Sequence, residues 1–223
     1  MVSKLTNMSK GFQFSQAELD SIKEAVQKAE TTTSGEIVPF FAAASDDYEE
    51  SCWRAASFSA LLALLIVASL SFSWNLPFVV TPWEVALFTV VMGVVGFLAC
   101  RFSDAIKRWI TPHSVMVERV IDKSLIAFLN EEVFKTENRT GILIYISHFE
   151  HMVDVIGDSG INSKVDKKEW EQVVKLIVEG IKAGNPADGI VRGVDKCGQL
   201  LVAAGVHKPK DNPNELSDDI RLG

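Results

Sequence analysis

Two long runs without a charged side chain constrain this sequence more than any other feature. No Asp, Glu, Lys or Arg occurs from Ala55 to Trp74, and none occurs from Val85 to Cys100. Because a helix rises about 1.5 Å per residue, about 20 apolar residues cover the roughly 30 Å hydrocarbon core of a bilayer. The runs therefore predict two transmembrane helices, at about residues 55–74 and 83–100, with Glu84 at the membrane interface.

The segment between the runs predicts that they form a hairpin. Residues 75–82 are few, and Pro77 and Pro82 favour helix ends there. Four indoles mark the two ends of the hairpin, as aromatic belts do at the two surfaces of a membrane: Trp74 and Trp83 beside the turn, Trp53 and Trp109 at the open end. A buried helical pair in a soluble core is the alternative, and it does not explain the position of the indoles.

Basic residues predict the orientation of the hairpin. Lys and Arg occur at its open end and are absent from the turn, and an excess of these residues marks the cytoplasmic side of a membrane. They are Arg54, Arg101, Lys107 and Arg108. We therefore expect a multi-pass protein of the cell inner membrane, with its soluble domain and both termini in the cytoplasm.

The remaining composition narrows the classes of function. A net charge of -7 argues against nucleic acid as a partner, because a phosphate backbone requires a basic face. The three cysteines are an odd number without metal or disulfide spacing, which suits a reducing compartment. Met1–Ser15 lacks the apolar core of a signal peptide, so export of the soluble domain is not expected.

Outside the hairpin, the pattern predicts alternating helices and strands. Ser15 and Glu18 form a capping box for a first helix, and residues 36–41 follow as a strand in which Pro39 favours an edge position or the exposed side. Apolar spacing predicts a helix over residues 112–136, and residues 141–147 and 152–156 predict an antiparallel strand pair. Two more helices are expected, one starting with the pair Asp166 and Glu169 and ending at Gly184, the other starting at Asn185-Pro186.

These elements predict a soluble domain that the hairpin interrupts. We expect its first part at residues 14–50, the hairpin at 51–110, the second part at 111–206, and a polar, irregular tail at 207–223.

Several local strings in this order of elements resemble the TPM-domain family, and more closely its bacterial branch with a membrane hairpin inserted after the first strand. The strings are Thr33–Val38, Ser45–Tyr48, Asn138–Ile144, Gly157–Gly160, Pro186–Gly189 and Asn214–Leu216. The resemblance implies an α/β fold, a small α/β/α sandwich around a mixed sheet. It also implies a range of functions, because the family includes acid phosphatases, calcium binders and accessory factors for membrane complexes. The acidic N-terminal motif of the secreted members is absent from this sequence.

Carboxylates within and beside these strings are the candidate metal ligands. Asp158 lies between glycines just after a strand, Asp188 lies in the first turn of a helix, and Asp46 and Asp47 precede the first span. Carboxylate oxygens are ligands for Ca²⁺, so the four acids could form a calcium site if they converge. The alternative is ordinary structure: a side chain that caps local amides, an acid that complements a helix dipole, and a solvated run of charge.

Other motifs are weaker. His148 and His151 have a spacing that can support a metal, but on a hairpin turn such residues are more often simple exposed polar groups. The sequence contains no P-loop, nucleophile elbow, zincin helix or dinucleotide fingerprint.

Small residues at every fourth position of the first span and two glycines of the second favour close packing, either within the hairpin or with another helix. They are Ala55, Ser59, Ala63, Gly93 and Gly96.

Two functional hypotheses follow. In the preferred one, the chain is a non-enzymatic, membrane-anchored module in contact with the lipid bilayer, and it binds a protein partner or a second copy of itself to assist a membrane complex. In the other, it is a calcium-dependent, acid-phosphatase-like hydrolase in which the cation held by the four aspartates polarises a phosphoryl group.

Overall fold

The protein is described here from a computed structural model, which covers residues 14–72, 81–207 and 216–223. Within these residues the chain forms, in order, α1 Gln16–Glu30, β1 Ile37–Ala42, α2 Glu49–Phe72, α3 Pro82–Phe102, α4 Asp104–Ile110, α5 His113–Asn130, β2 Ile142–Ser147, β3 Met152–Gly157, α6 Ser159–Asn162, α7 Lys167–Lys182, α8 Pro186–Ala203 and β4 Arg221–Leu222. The contacts divide the chain into a sheet unit, residues 1–45 and 117–223, and a hairpin unit, residues 46–116.

The sheet unit is built on a mixed sheet with the strand order β3-β2-β1-β4. β1 pairs in parallel with β2 and β4, and β2 pairs antiparallel with β3, so the predicted antiparallel pair is confirmed. Alternate residues of the strands face opposite sides of the sheet. Ile37, Ile142 and Ile144 face a core formed with α1, α7 and α8, whereas Val38 and Leu143 face a second core formed with α5. This arrangement confirms an α/β fold with helices on both faces of a mixed sheet.

Pro39 lies in an inner strand and not in an edge strand. The carbonyl groups of Glu36 and Ala42 accept hydrogen bonds on the side of β1 that faces β2. Backbone groups of successive strand residues point to alternate sides, and Pro39 is three residues from each of these two, so its nitrogen points away from β2. On that other side, β4 pairs only with Phe40 and Phe41. The missing donor of proline therefore removes no hydrogen bond of the β1–β2 ladder.

Several helix boundaries lie where the sequence predicted them. Ser15 and Glu18 form the capping box of α1, with the Ser15 amide 2.7 Å from Glu18 Oε2. Asn185 caps α8 by accepting from the amide of Asp188, and Gly184, which follows α7, has a φ of 78°. Asp166 takes the N-cap position of α7, but its side chain makes no capping hydrogen bond.

Three boundaries differ from the prediction. The helix expected to continue to Thr136 ends at Asn130, because Glu132 adopts a φ of 56° and the Val133 amide bonds back to the Phe128 carbonyl. A separate helix, α4, follows α3, since the extended backbone of Ser103 interrupts the helical path. The predicted irregular tail contains β4, which the Arg221–Glu131 ion pair, 2.7 Å long, ties to the end of α5.

The hairpin unit contains two helices that are long and apolar enough to cross a membrane. In the most apolar 18-residue stretch of each helix, only 11% is buried in the first helix and 6% in the second. A core helix of a soluble protein would be mostly buried. The helices pack closely, since a Cβ added at Gly96 would lie 2.0 Å from Ser59 Oγ. The small residues of the hairpin are therefore used, at this point, in packing within it. The predicted turn at residues 75–82 and Trp74 lie largely outside the described residues.

Candidate functional site

Asp158, the first candidate metal ligand, already has protein partners. It caps α6, with Oδ1 2.6 Å from the Ser159 amide, and its carboxylate is buried. Arg139 approaches both oxygens, with Nη2 3.0 Å from Oδ1 and Nε 2.7 Å from Oδ2. A guanidinium in this position neutralises the carboxylate and takes the place that a cation would occupy.

The side chains of two of the other three aspartates also have local roles. Asp188 in the first turn of α8 pairs with Arg192 one turn later, with Oδ2 3.0 Å from Nε. In the hairpin unit, Asp46 Oδ1 accepts from the Asp47 amide at 2.7 Å, just before α2. Among residues 14–72, 81–207 and 216–223, no group of three or more His, Cys, Asp or Glu side chains is placed to hold a metal. A calcium site formed from the four aspartates stays a prediction, and at Asp158 the ion would have to displace Arg139.

The two histidines lie on the turn between β2 and β3. The ring centroids of His148 and His151 are 6.1 Å apart, and the His148 ring also lies 6.0 Å from that of Phe41.

The cysteines are all free and buried, and burial raises the pKa of Cys197 to about 12. A thiol held protonated in this way is a poor nucleophile.

A buried polar network, which the sequence analysis missed, lies where β1 and β2 end. Ser45 donates its amide to Glu150 Oε1 at 2.8 Å, and its hydroxyl lies 3.1 Å from both Tyr145 Oη and Ser147 Oγ. Ser147 also donates to Glu150 Oε2. The carboxyl ends of parallel strands meet at the same edge of a sheet, so Ser147 at the end of β2 and Ser45 shortly after β1 were the available signal.

Burial determines what this network can do. All four side chains are buried, and burial raises the pKa of Tyr145, with the charge of Glu150 acting in the same direction. Tyr145 and the two serines therefore act as neutral hydrogen-bonding groups around one carboxylate. The network fixes the backbone after β1, at the last residue of the sheet unit before the hairpin begins.

A small pocket opens beside this network, between α5 and the sheet. Its volume is about 200 Å³, and its walls include Phe40, Ala42, Ile126 and Tyr145, with Lys123 at its side. Most pockets for drug-sized ligands have roughly 300–1,000 Å³. This pocket is therefore suited to a single side chain or a similarly small group.

Next to the pocket, α5 exposes a stripe of large apolar side chains. Ile121, Leu125, Ile126 and Leu129 are 46% to 59% exposed, whereas Val120 and Phe128 of the same helix pack on the sheet. The apolar pattern of the sequence predicted the helix, but it did not separate these two faces. A contiguous exposed apolar patch is typical of a surface that binds another molecule. We call these four side chains the α5 stripe.

Comparison with known proteins agrees with this fold. Residues 115–200 match the family model of the TPM domain. The chain is similar to the NMR structure of the BA42 protein from the psychrophilic bacterium Bizionia argentinensis, with a TM-score of 0.58 and 20% sequence identity over 100% of both chains. At this identity, the likeness shows the fold. No curated protein matches the chain. This chain therefore carries a TPM domain, which the family model places at residues 115–200.

Proposed function

We propose that the chain is a membrane-anchored module whose TPM-like domain lies in the cytoplasm and binds a protein partner, as an accessory factor of a membrane complex. The observation that carries the proposal is the combination of two apolar surfaces, one on the hairpin unit and one on the sheet unit. Each surface needs a different environment to be covered.

The bilayer would cover the hairpin. Large side chains such as Phe58, Leu62, Leu87 and Val90 are exposed on α2 and α3. In water these side chains would carry the full cost of apolar hydration, about 25 cal/mol per Å² of exposed apolar surface. The basic residues at the open end support a cytoplasmic position for the sheet unit.

A protein partner would cover the α5 stripe. Apolar side chains at positions 121, 125 and 129 form the i, i+4, i+8 pattern of a helix face that docks against another protein. The adjacent pocket of about 200 Å³ has the size for one anchoring side chain of such a partner. The two candidate metal ligands of the sheet unit, Asp158 and Asp188, pair with arginines, which favours binding over phosphoryl transfer.

The orientation is tested with single-cysteine variants in a background without Cys52, Cys100 and Cys197. A membrane-impermeant maleimide is added to intact spheroplasts. Phe78→Cys, in the predicted turn, is expected to react, whereas Lys175→Cys on α7 is expected to react only after lysis. Labelling of Lys175→Cys in intact spheroplasts contradicts the proposed orientation.

Partner binding is tested by photo-crosslinking from defined positions in membranes of cells that express the chain. A photoreactive residue at Leu125 is expected to give a discrete adduct, and the same residue at Lys175, also exposed but on α7, is the matched control. The adduct should disappear in a Leu129→Asp background. Calcium-dependent hydrolysis of p-nitrophenyl phosphate that is lost in Asp158→Asn would instead favour the phosphatase hypothesis.

A further inference from the structure

One end of the sheet is formed by β3, whose outer edge has no strand beside it among the described residues. Every residue of β3 is partly exposed, whereas every residue of β2 is buried. The amide of Asp158, one residue after β3, donates to the Gly141 carbonyl on the β2 side. Since backbone groups of successive strand residues alternate in direction, those of Val153, Val155 and Gly157 point outward. Within the described part of the chain, these outward N–H and C=O groups have no hydrogen-bond partner.

The sequence of β3 does not protect this edge from pairing with another strand. Exposed edge strands usually carry lysines, prolines or bulges that prevent such pairing. β3 is Met152-Val-Asp-Val-Ile-Gly157, and its one charged side chain is Asp154. The Asp154 carboxylate accepts a hydrogen bond from Ser124 Oγ of α5 at 2.6 Å, so it lies against α5 on one face of the sheet. The outer edge of β3 is therefore suited to the addition of a further strand.

Three residues of the α5 stripe are turned toward this end of the sheet. The pocket beside β1 is lined by Lys123, Ile126 and Asn130, so that side of α5 faces the other end of the sheet. Ser124 contacts β3. Around the helix, the pocket residues lie about 100° or more from Ser124 in one direction, and the other stripe residues lie about 60–140° from it in the opposite direction. These stripe residues, which flank the outer edge of β3 on the α5 face, are Ile121, Leu125 and Leu129.

On the other face of the sheet, α7 flanks the same edge. α7 lies over β3, since Trp170 packs against the end of that strand. Glu169 and Leu176 mark the side of α7 that contacts α8. Val174 and Val178 lie about 140–200° around the helix from those two residues, and both are partly exposed. The outer edge of β3 therefore has apolar side chains beside it on both faces of the sheet.

We propose that β3 pairs with β3 of a second copy of the chain, in an antiparallel arrangement centred on Val155. The proposal rests on the proposed function, because it names a second copy as the partner that covers the α5 stripe. In this register Val155 faces Val155 of the second copy, and Val153 faces Gly157 of the second copy. The outward backbone groups of these residues then form about six hydrogen bonds. No two like charges face each other across the pair, which would destabilise it.

A second copy fits the edge better than an extended segment of another protein does. A single added strand would satisfy the outward backbone groups, but it would leave the apolar residues of α5 and α7 exposed. Two short strands alone are marginally stable at best, and a stable interface buries about 1,200–2,000 Å². A second copy brings its own α5 and α7 to the two faces of the joined sheet. The two-fold arrangement therefore covers the α5 stripe, Val174 and Val178 of both copies at once.

The register is tested by disulfide formation in membranes of cells that express the full chain without Cys52, Cys100 and Cys197. Copper phenanthroline is the oxidant. Val155→Cys should give a linked dimer, because facing residues have Cα atoms about 5.5 Å apart and disulfides span about 4.4–6.8 Å. Val153→Cys is the matched control, since its two copies would lie roughly 13 Å apart along the strands. We expect at least about five times more linked dimer from Val155→Cys, and equal yields overturn the proposal.

The backbone pairing is tested by the mass of the full chain in detergent micelles, measured by light scattering. Val155→Pro removes the central outward N–H but no hydrogen bond to β2, and Val155→Thr, which retains the N–H, is the matched control. The parent chain and Val155→Thr should have the mass of two copies, and Val155→Pro the mass of one. A single-copy mass for the parent chain, or a dimer that survives Val155→Pro, overturns the proposal. The cysteine test does not depend on the folding of Val155→Pro.

Photo-crosslinking from Leu125 distinguishes the failure of this proposal from the failure of the proposed function. An adduct with the mass of two copies is expected. The absence of any adduct contradicts both the partner surface and the second copy. A discrete adduct with a different protein, together with equal disulfide yields at residues 153 and 155, contradicts the second copy alone.

Discussion

The buried carboxyl group of Glu30 makes the stability of the sheet unit depend on pH. Glu30, at the end of α1, is 7% exposed, and its Oε1 accepts from the Ile37 amide at 2.9 Å. Burial raises the pKa of Glu30 to about 8, against the hydrogen bond from Ile37, and the nearby charges of Glu36 and Asp218 raise it further. Glu30 is therefore protonated in the folded protein at neutral pH.

The size of the effect follows from the two pKa values. Below pH 4.5, Glu30 is protonated in both the folded and the unfolded chain. Above it, the unfolded chain releases the proton while the folded chain retains it up to about pH 8, so the free energy of unfolding falls across this range. At about 1.4 kcal/mol per pH unit, the loss reaches roughly 3–5 kcal/mol.

Glu30→Gln should remove this loss, because the amide oxygen can still accept from Ile37 but has no proton to release. Relative to the parent chain, we expect the variant to gain roughly 3–5 kcal/mol in unfolding free energy between pH 4.5 and pH 8.5. Glu24→Gln, on the exposed side of the same helix, is the matched control.

The measurement is urea unfolding of the full chain in detergent micelles at a series of pH values. Trp170 reports on the sheet unit, since the other four tryptophans lie between residues 46 and 116 and can be replaced by phenylalanine. A stability difference between Glu30→Gln and the parent chain that stays constant with pH would refute the reasoning.

Three further substitutions test contacts of the sheet unit by the same unfolding assay. Arg139→Gln leaves the buried carboxylate of Asp158 without its cation and should cost about 1–3 kcal/mol, part of which Asp158→Asn in the same chain restores. Gly160→Ala should cost about 1–3 kcal/mol, since a Cβ there would lie 2.3 Å from the Asn138 carbonyl oxygen. Ser45→Ala removes a hydroxyl from the buried network and should cost about 1–2 kcal/mol.

Each of these expectations has a clear contrary result. A neutral Arg139→Gln would mean that solvent or another group compensates Asp158. A neutral Gly160→Ala would mean that the backbone at residue 138 moves at little cost, and a neutral Ser45→Ala would mean that the network contributes no stability.

The sequence predicted elements whose signals are local. The capping box at Ser15 and the pair Asn185-Pro186 act within one helical turn, and the two uncharged runs act through length alone. The parallel pairing of β1 with β2 could not be predicted from local signals, because the paired residues lie about a hundred residues apart in sequence. Their register is selected only by packing of the sheet.

The features that the sequence did not predict also depend on contacts between residues that are distant in sequence or on packing against the sheet. β4 has two residues, and its pairing with β1 depends on long-range contacts such as the Arg221–Glu131 ion pair. On α5, apolar residues cover more than the face that packs on the sheet, so spacing alone could not show that Leu125 would be exposed and Val120 buried. For Asp158, the motif drew attention to a cation, but the partner in the fold is Arg139, 19 residues earlier.

The position of the hairpin between β1 and β2 has a consequence for how many times the chain can cross a membrane. These two strands are hydrogen-bonded neighbours, from the pair Ile37 and Ile142 to the pair Ala42 and Ser147. The whole hairpin unit nevertheless lies between them in sequence. Neighbouring strands must be in the same compartment, so any inserted segment has to return the chain to the side from which it left. For a hairpin that crosses a bilayer, as proposed, an even number of crossings satisfies this condition. The loss of one span would then place the two halves of the sheet on opposite sides of the bilayer.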